Sequence, residues 1–119
     1  MPNRKAMSGA AAVAVGLALA VSPTATAAAT PCPTGSLCAY VLPHYGGEPG
    51  VARGDLWDLL RIYEFDNAVS VFNAGTQCSV SIYTGKGYTG ARATIPRSSG
   101  IPDLTGSAFH KNVASARFC

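Results

Sequence analysis

Two stretches of this chain, 43 residues apart, follow the same plan. Tyr40-Val-Leu-Pro-His-Tyr45-Gly-Gly47 and Tyr83-Thr-Gly-Lys-Gly-Tyr88-Thr-Gly90 share the pattern aromatic-x4-aromatic-x-Gly. Farther along, Asp58-Leu59 matches Asp103-Leu104, Asn67 matches Asn112 and Ser70 matches Ser115, all at an offset of 45. The order of landmarks is the same in both halves. The change of offset is a two-residue insertion, most simply placed in the Arg97-Ser-Ser-Gly100 stretch. An internal repeat of this length means two supersecondary units that bury their apolar faces against each other.

The residues within each unit specify β-structure. Short runs of Val, Ile, Tyr and Thr lie between Gly and Pro punctuation. Ser79-Val80-Ser81-Ile82-Tyr83 alternates polar and apolar, as a half-buried strand does. Val69-Ser70-Val71-Phe72 repeats the alternation before an Asn73-Ala-Gly75 turn. Gly47 and Gly90 supply the positive φ a sharply folded hairpin needs, and the paired tyrosines Tyr40/Tyr45 and Tyr83/Tyr88 pack over it. Asn67 and Ser70, like Asn112 and Ser115, are expected to bond nearby backbone groups where a strand begins. Trp57-Asp-Leu-Leu60 reads as one helical turn, and Trp57 as a core residue. The expected fold is all-β, with motif one over about 38–74 and motif two over about 78–119.

The first thirty residues belong to a different class of sequence. They hold no aromatic residue and only Arg4 and Lys5 as charges. A basic start, an apolar run from Ala10 to Val21 and Ala25-Thr26-Ala27 have the form of a cleaved export signal over 1–27. The apolar run falls short of the roughly 20 residues a spanning helix needs. Cleavage would leave a domain over 28–119, with 92 residues, seven basic and six acidic. Near-neutral charge without basic clustering argues against nucleic acid as a partner. It also leaves no membrane segment, and a secreted monomer is the expectation.

A domain this small is short of core and is commonly braced by disulfides in an oxidising compartment. Cys32, Cys38, Cys78 and Cys119 allow three pairings. Pro33 and Gly35 turn the chain between the first two, which favours Cys32–Cys38 and leaves Cys78–Cys119. No C-x-x-C pair suggests zinc or redox chemistry. Catalysis is poorly supported. His44 and His110 fit no H-E-x-x-H pattern and flank no G-x-S-x-G serine, and the acidic residues are scattered.

The repeated Tyr-x4-Tyr-x-Gly followed by Asn-x-x-Ser resembles the Greek-key motif of the βγ-crystallin superfamily. That resemblance implies one domain of two packed four-stranded sheets, a β-sandwich of two βγ-crystallin-type motifs. The opening Cys32-Pro-Thr-Gly-Ser-Leu-Cys-Ala-Tyr40 resembles that of the streptomycete metalloproteinase inhibitor family. Membership there implies a non-enzymatic, secreted inhibitor that blocks an extracellular proteinase through a rigid, substrate-like loop beside a cysteine. The matching stretch is Thr76-Gln77-Cys78-Ser79-Val80. It lacks a bulky apolar residue at Ser79 and a second nearby cysteine, so Cys78 equally reads as an anchor for the C-terminus. The Ile95–Pro102 loop, with Arg97 and Ile101, is the alternative contact segment.

Two other functions follow from the crystallin resemblance. Microbial members bind calcium through an acidic or amide pair, two spacers, then Ser/Thr and Ser. Here Asp66, Asn67 and Ser70 are the candidate ligands. Both copies lack the last serine, and Lys111 puts a cation in the second. Local hydrogen bonding is the better reading of these residues, so no cofactor is required. The remaining class is an antifungal or cell-surface binding module, for which Trp57 and Tyr63 are the aromatic candidates.

Overall fold

The computed structural model describes residues 31–119. The 1–27 segment read as an export signal lies outside the described residues. Among the described residues, seven strands form two antiparallel sheets: β1 (Leu37–Tyr40), β2 (Gly50–Ala52), β3 (Ser70–Asn73), β4 (Val80–Gly85), β5 (Thr89–Ile95), β6 (Ser99–Ile101) and β7 (Ser115–Phe118). One sheet has the order β2-β1-β3-β6 and the other β5-β4-β7. A bridge between Leu56 and Ala116 adds a single rung beside β7. The second sheet therefore has three named strands and one rung, where two four-stranded sheets were expected.

The sequence halves do not fold separately. β6, from the second half, pairs with β3 of the first through Val71–Ile101. Leu56, from the first half, pairs with Ala116 of the second. Each sheet thus contains a segment from the other motif, so the halves interlock. The pairing also locates the insertion. Leu37–Ala52 and Val80–Ile95 are equivalent at the 43-residue offset. Val71–Ile101 and Ala116–Leu56 are equivalent at an offset of 45. The two additional residues therefore fall between Ile95 and Ile101.

The core lies between the sheets. Leu37, Ala39, Val71, Val80, Ile82, Ile95 and Val113 are buried, with Leu59, Phe65 and Leu104 contributed by the connections. Each large apolar side chain buried in this way contributes roughly 1.5–3 kcal/mol. The helical turn α1 spans Tyr63–Asp66, not Trp57–Leu60. Phe65 on α1 points into the core, and burial of that side chain fixes where the turn forms. Trp57 is 61% exposed, contrary to the expectation of a core residue. Its carbonyl instead accepts a hydrogen bond from the Gly87 N–H at the hairpin of the second motif.

Disulfides join Cys32 to Cys38 and Cys78 to Cys119. Each lies within one half of the repeat. Among the described residues no helix is long and apolar enough to cross a membrane.

Candidate functional site

The landmarks of the repeat build the ends of the sandwich. Tyr45 and Tyr88 have φ of 61° and 63°, followed by Gly47 and Gly90 at 86° and 82°. A non-glycine residue in the left-handed region costs free energy, so something must hold it there. Ser70 does this in the first motif: its Oγ donates to the Leu42 carbonyl at 2.7 Å and accepts from the Tyr45 N–H at 3.0 Å. Ser115 makes the equivalent pair with Gly85 O (2.7 Å) and Tyr88 N–H (3.0 Å). These bonds cross from β3 and β7 to a distant hairpin, so the expectation of bonding to nearby backbone fails for the serines. It holds for Asn67, whose amide donates to Tyr63 O, one helical turn back.

The aromatic pairs repeat just as closely. Tyr40–Tyr45 and Tyr83–Tyr88 both have ring centroids 5.9 Å apart, at interplanar angles of 64° and 66°. Such edge-to-face pairs are worth about 0.5–1.5 kcal/mol beyond burial. Arg117 lies over Tyr88, 4.1 Å from the ring centroid. Burial, and then the adjacent Tyr45, push the Tyr40 hydroxyl above its ordinary value of 10.0, and burial raises Tyr45 as well. In both motifs the two tyrosines thus pack against each other beside the folded hairpin.

The same geometry tests the calcium reading. Ser70 is fully buried, and its hydroxyl is engaged under the hairpin. The Asn67 amide is turned onto the helix, and Asp66 is an exposed residue at the end of α1. Of the three candidate ligands, Ser70 already has its hydroxyl engaged with backbone, whereas Asp66 and Asn67 keep side-chain oxygens outside these bonds. Among the described residues, no group of three His, Cys, Asp or Glu side chains could hold a metal ion.

At one end of the sandwich four segments converge: the Pro33–Ser36 turn, the linker 74–79 between the motifs, the 96–98 turn and the C-terminus. Gly35 N–H donates to Ala74 O and Ala74 N–H to Ser36 O, both at 2.8 Å. Ser98 N–H donates to Asn73 O at 2.8 Å, and Cys119 N–H to Ser79 O at 3.0 Å. Asn73 is the internal brace. Its fully buried side chain accepts from the Gly75 N–H at 2.7 Å and donates to Ile95 O at 2.9 Å and Cys78 O at 3.4 Å. Gly75 is required at its position, because a Cβ there would sit 2.7 Å from Asn73 Oδ1. From outside, the Arg97 guanidinium donates to Thr76 O at 3.1 Å.

The linker is consequently a ridge held from within, from one flank and by a disulfide. A depression lined by Thr34, Phe72, Arg97 and Ser98 lies on one side of it, and another lined by Gly54, Phe118 and Cys119 on the other. Thr76 borders both. The segments around Cys78 and Arg97, which the sequence presented as alternatives, form one surface.

Two expected contact residues leave that surface. Val80 is fully buried in β4, paired with Ile95 and Phe118, and cannot reach a partner. Ile101 is a half-buried strand residue packed against the core. Cys78 and Ser79 are half-buried at the base of the ridge, and Arg97 is exposed. Asn73 was not expected to support this surface, and Gln77, inside the Thr76–Val80 stretch, was not singled out within it. An Asn-Ala-Gly triplet reads as a turn, and only the packed sheets show its amide facing three backbone groups.

Interlocked Greek-key motifs with tyrosine pairs over folded hairpins define a βγ-crystallin-type domain, and solved structures agree. A structure from work on the evolution of the eye-lens βγ-crystallin domain fold matches with TM-score 0.66 and 19% identity, covering 77% of this chain and 93% of that one. A βγ-crystallin from Ciona intestinalis matches at 0.58 and 14%, covering 71% and 100%. IPSE/alpha-1 from Schistosoma mansoni eggs matches at 0.59 and 19%, covering 71% and 84%. No curated protein sequence matches the chain. The model of peptidase inhibitor family I36 matches residues 25–95, more than half of the chain. The chain belongs to that family, and so to inhibitors rather than enzymes.

Proposed function

We propose that this is a secreted, monomeric inhibitor of an extracellular proteinase, released by cleavage after Ala27. In this reading it acts through the 74–79 ridge. The observation that carries the proposal is the bracing of that ridge by Asn73, Arg97 and Cys78–Cys119. A loop fixed before encounter loses little conformational entropy on binding, and so keeps more of its contact energy as affinity. Family membership supports a proteinase as the partner; the metalloproteinase class rests on the Cys32–Tyr40 resemblance.

Titration of residues 28–119 against thermolysin-like, subtilisin-like and trypsin-like proteinases tests the proposal. Tight inhibition of at least one class is expected. Absence of inhibition at micromolar protein in every class would contradict it.

A further inference from the structure

Over residues 76–79 one residue differs from its neighbours. The Thr76 carbonyl accepts from Arg97, the Cys78 carbonyl from Asn73 and the Ser79 carbonyl from the Cys119 N–H. Gln77 is exposed, and its carbonyl and side chain make no hydrogen bond among the described residues. A serine proteinase polarises the carbonyl of the bond it attacks and reads the side chain of the residue that carries that carbonyl in its primary pocket. Both groups must therefore be free on the residue presented, while its neighbours are held.

We propose that Gln77 is the specificity-determining residue of the inhibitory ridge, that Gln77–Cys78 is the bond laid across the proteinase active site, and that Arg97 is a positioning residue holding Thr76. This rests on the inhibitor reading above and adds the residue by which it selects its target. Hydrolysis adds one water across the bond, giving a Gln77 carboxylate and a Cys78 amine. Asn73 and the disulfide keep Cys78 where the bond was, so the reverse condensation, with loss of that water, competes with release.

Topology adds a consequence. The two disulfides lie on opposite sides of Gln77–Cys78, so no covalent bond joins the nicked halves. They stay together through the interlocked sheets, β6 on β3 and Leu56 on Ala116. The nicked protein is expected to remain one particle in native buffer and to separate in denaturant without reductant.

The experiment combines Gln77→Arg and Gln77→Leu with mass spectrometry of wild-type protein incubated with its target. The expected results are a nick at Gln77–Cys78 and, for Gln77→Arg, at least ~tenfold tighter inhibition of a trypsin-like proteinase. Gln77→Leu should shift preference towards a proteinase with an apolar pocket. Arg97→Ala should speed nicking at an unchanged melting temperature, with partial rescue in Arg97→Lys. A nick at Cys78–Ser79 or within 96–100, or selectivity unchanged by both Gln77 variants, would overturn this assignment while leaving the inhibitor reading intact. Wild-type protein that inhibits nothing would overturn both. Should a Gln77 variant fail to fold, the wild-type nick position alone decides.

Discussion

Replacing Asn73 with alanine removes the brace under the ridge without touching its exposed surface. Two strong bonds are lost in a dry environment, Gly75 N–H to Oδ1 at 2.7 Å and Nδ2 to Ile95 O at 2.9 Å, with a longer third to Cys78 O at 3.4 Å. Each bond contributes about 1 kcal/mol net, and an orphaned buried N–H costs about 1–3 kcal/mol more. The total is about 3–5 kcal/mol. For a domain of this size that lowers the melting temperature by about 12–40 °C. Freeing Thr76 and Gln77 also adds roughly 0.5–1.5 kcal/mol of ordering cost per side chain on binding. Inhibition should weaken by about tenfold or more, measured below the variant's melting range. Asn73→Asp separates bonding from volume. It keeps the acceptor for Gly75 but turns a carboxylate towards two carbonyl oxygens, so it should be at least as unstable as the alanine variant at pH 7. It should regain stability as acid protonates it. The assay is thermal unfolding by circular dichroism, paired with inhibition constants. A loss below about 1 kcal/mol for Asn73→Ala would refute the bracing argument.

Other substitutions probe the frame around the ridge. Ser70→Ala and Ser115→Ala should each destabilise by about 1–3 kcal/mol, and by similar amounts, because their partners and distances match; denaturant titration checks this. Gly100→Ala should be strongly destabilising, since a Cβ there would lie 2.5 Å from Val71 O and 2.7 Å from the Tyr45 hydroxyl; thermal melts read it. Cys78→Ser with Cys119→Ser opens a link of sequence separation 41 and should cost about 4 kcal/mol in denaturant unfolding. Raised tyrosine pKa values mean that the folded state favours the neutral phenol. The stability from Tyr40 and Tyr45 is therefore complete below about pH 10 and lost as pH rises through their folded values, which a tyrosinate absorbance titration follows.

The repeat was legible because the same physics acts twice. A left-handed turn at Tyr45 and Tyr88 needs glycine nearby, a ring above and a buried hydroxyl below, and each requirement restricts residue type. The placement of the two-residue insertion was legible for the same reason. The exchange of β6 and Leu56 was not, because strand pairing partners leave no trace in local alternation. α1 was misplaced because short turns follow the side chain they bury, here Phe65, rather than helix propensity. Val80 read as a loop residue because it lies two positions after Cys78, yet its core position was already implied by its place in an alternating strand. Asn73 escaped notice because satisfaction of a buried amide is set by three segments distant in sequence.

The central claim is that the braced ridge is the surface that meets a proteinase. Hydrogen exchange of residues 28–119, alone and bound to an inhibited proteinase, measures this directly. Protection should appear over 74–79 and 96–98, with little change at the Trp57 and Tyr63 surface. Protection confined to Trp57 and Tyr63, with exchange over 74–79 unaltered, would contradict the account.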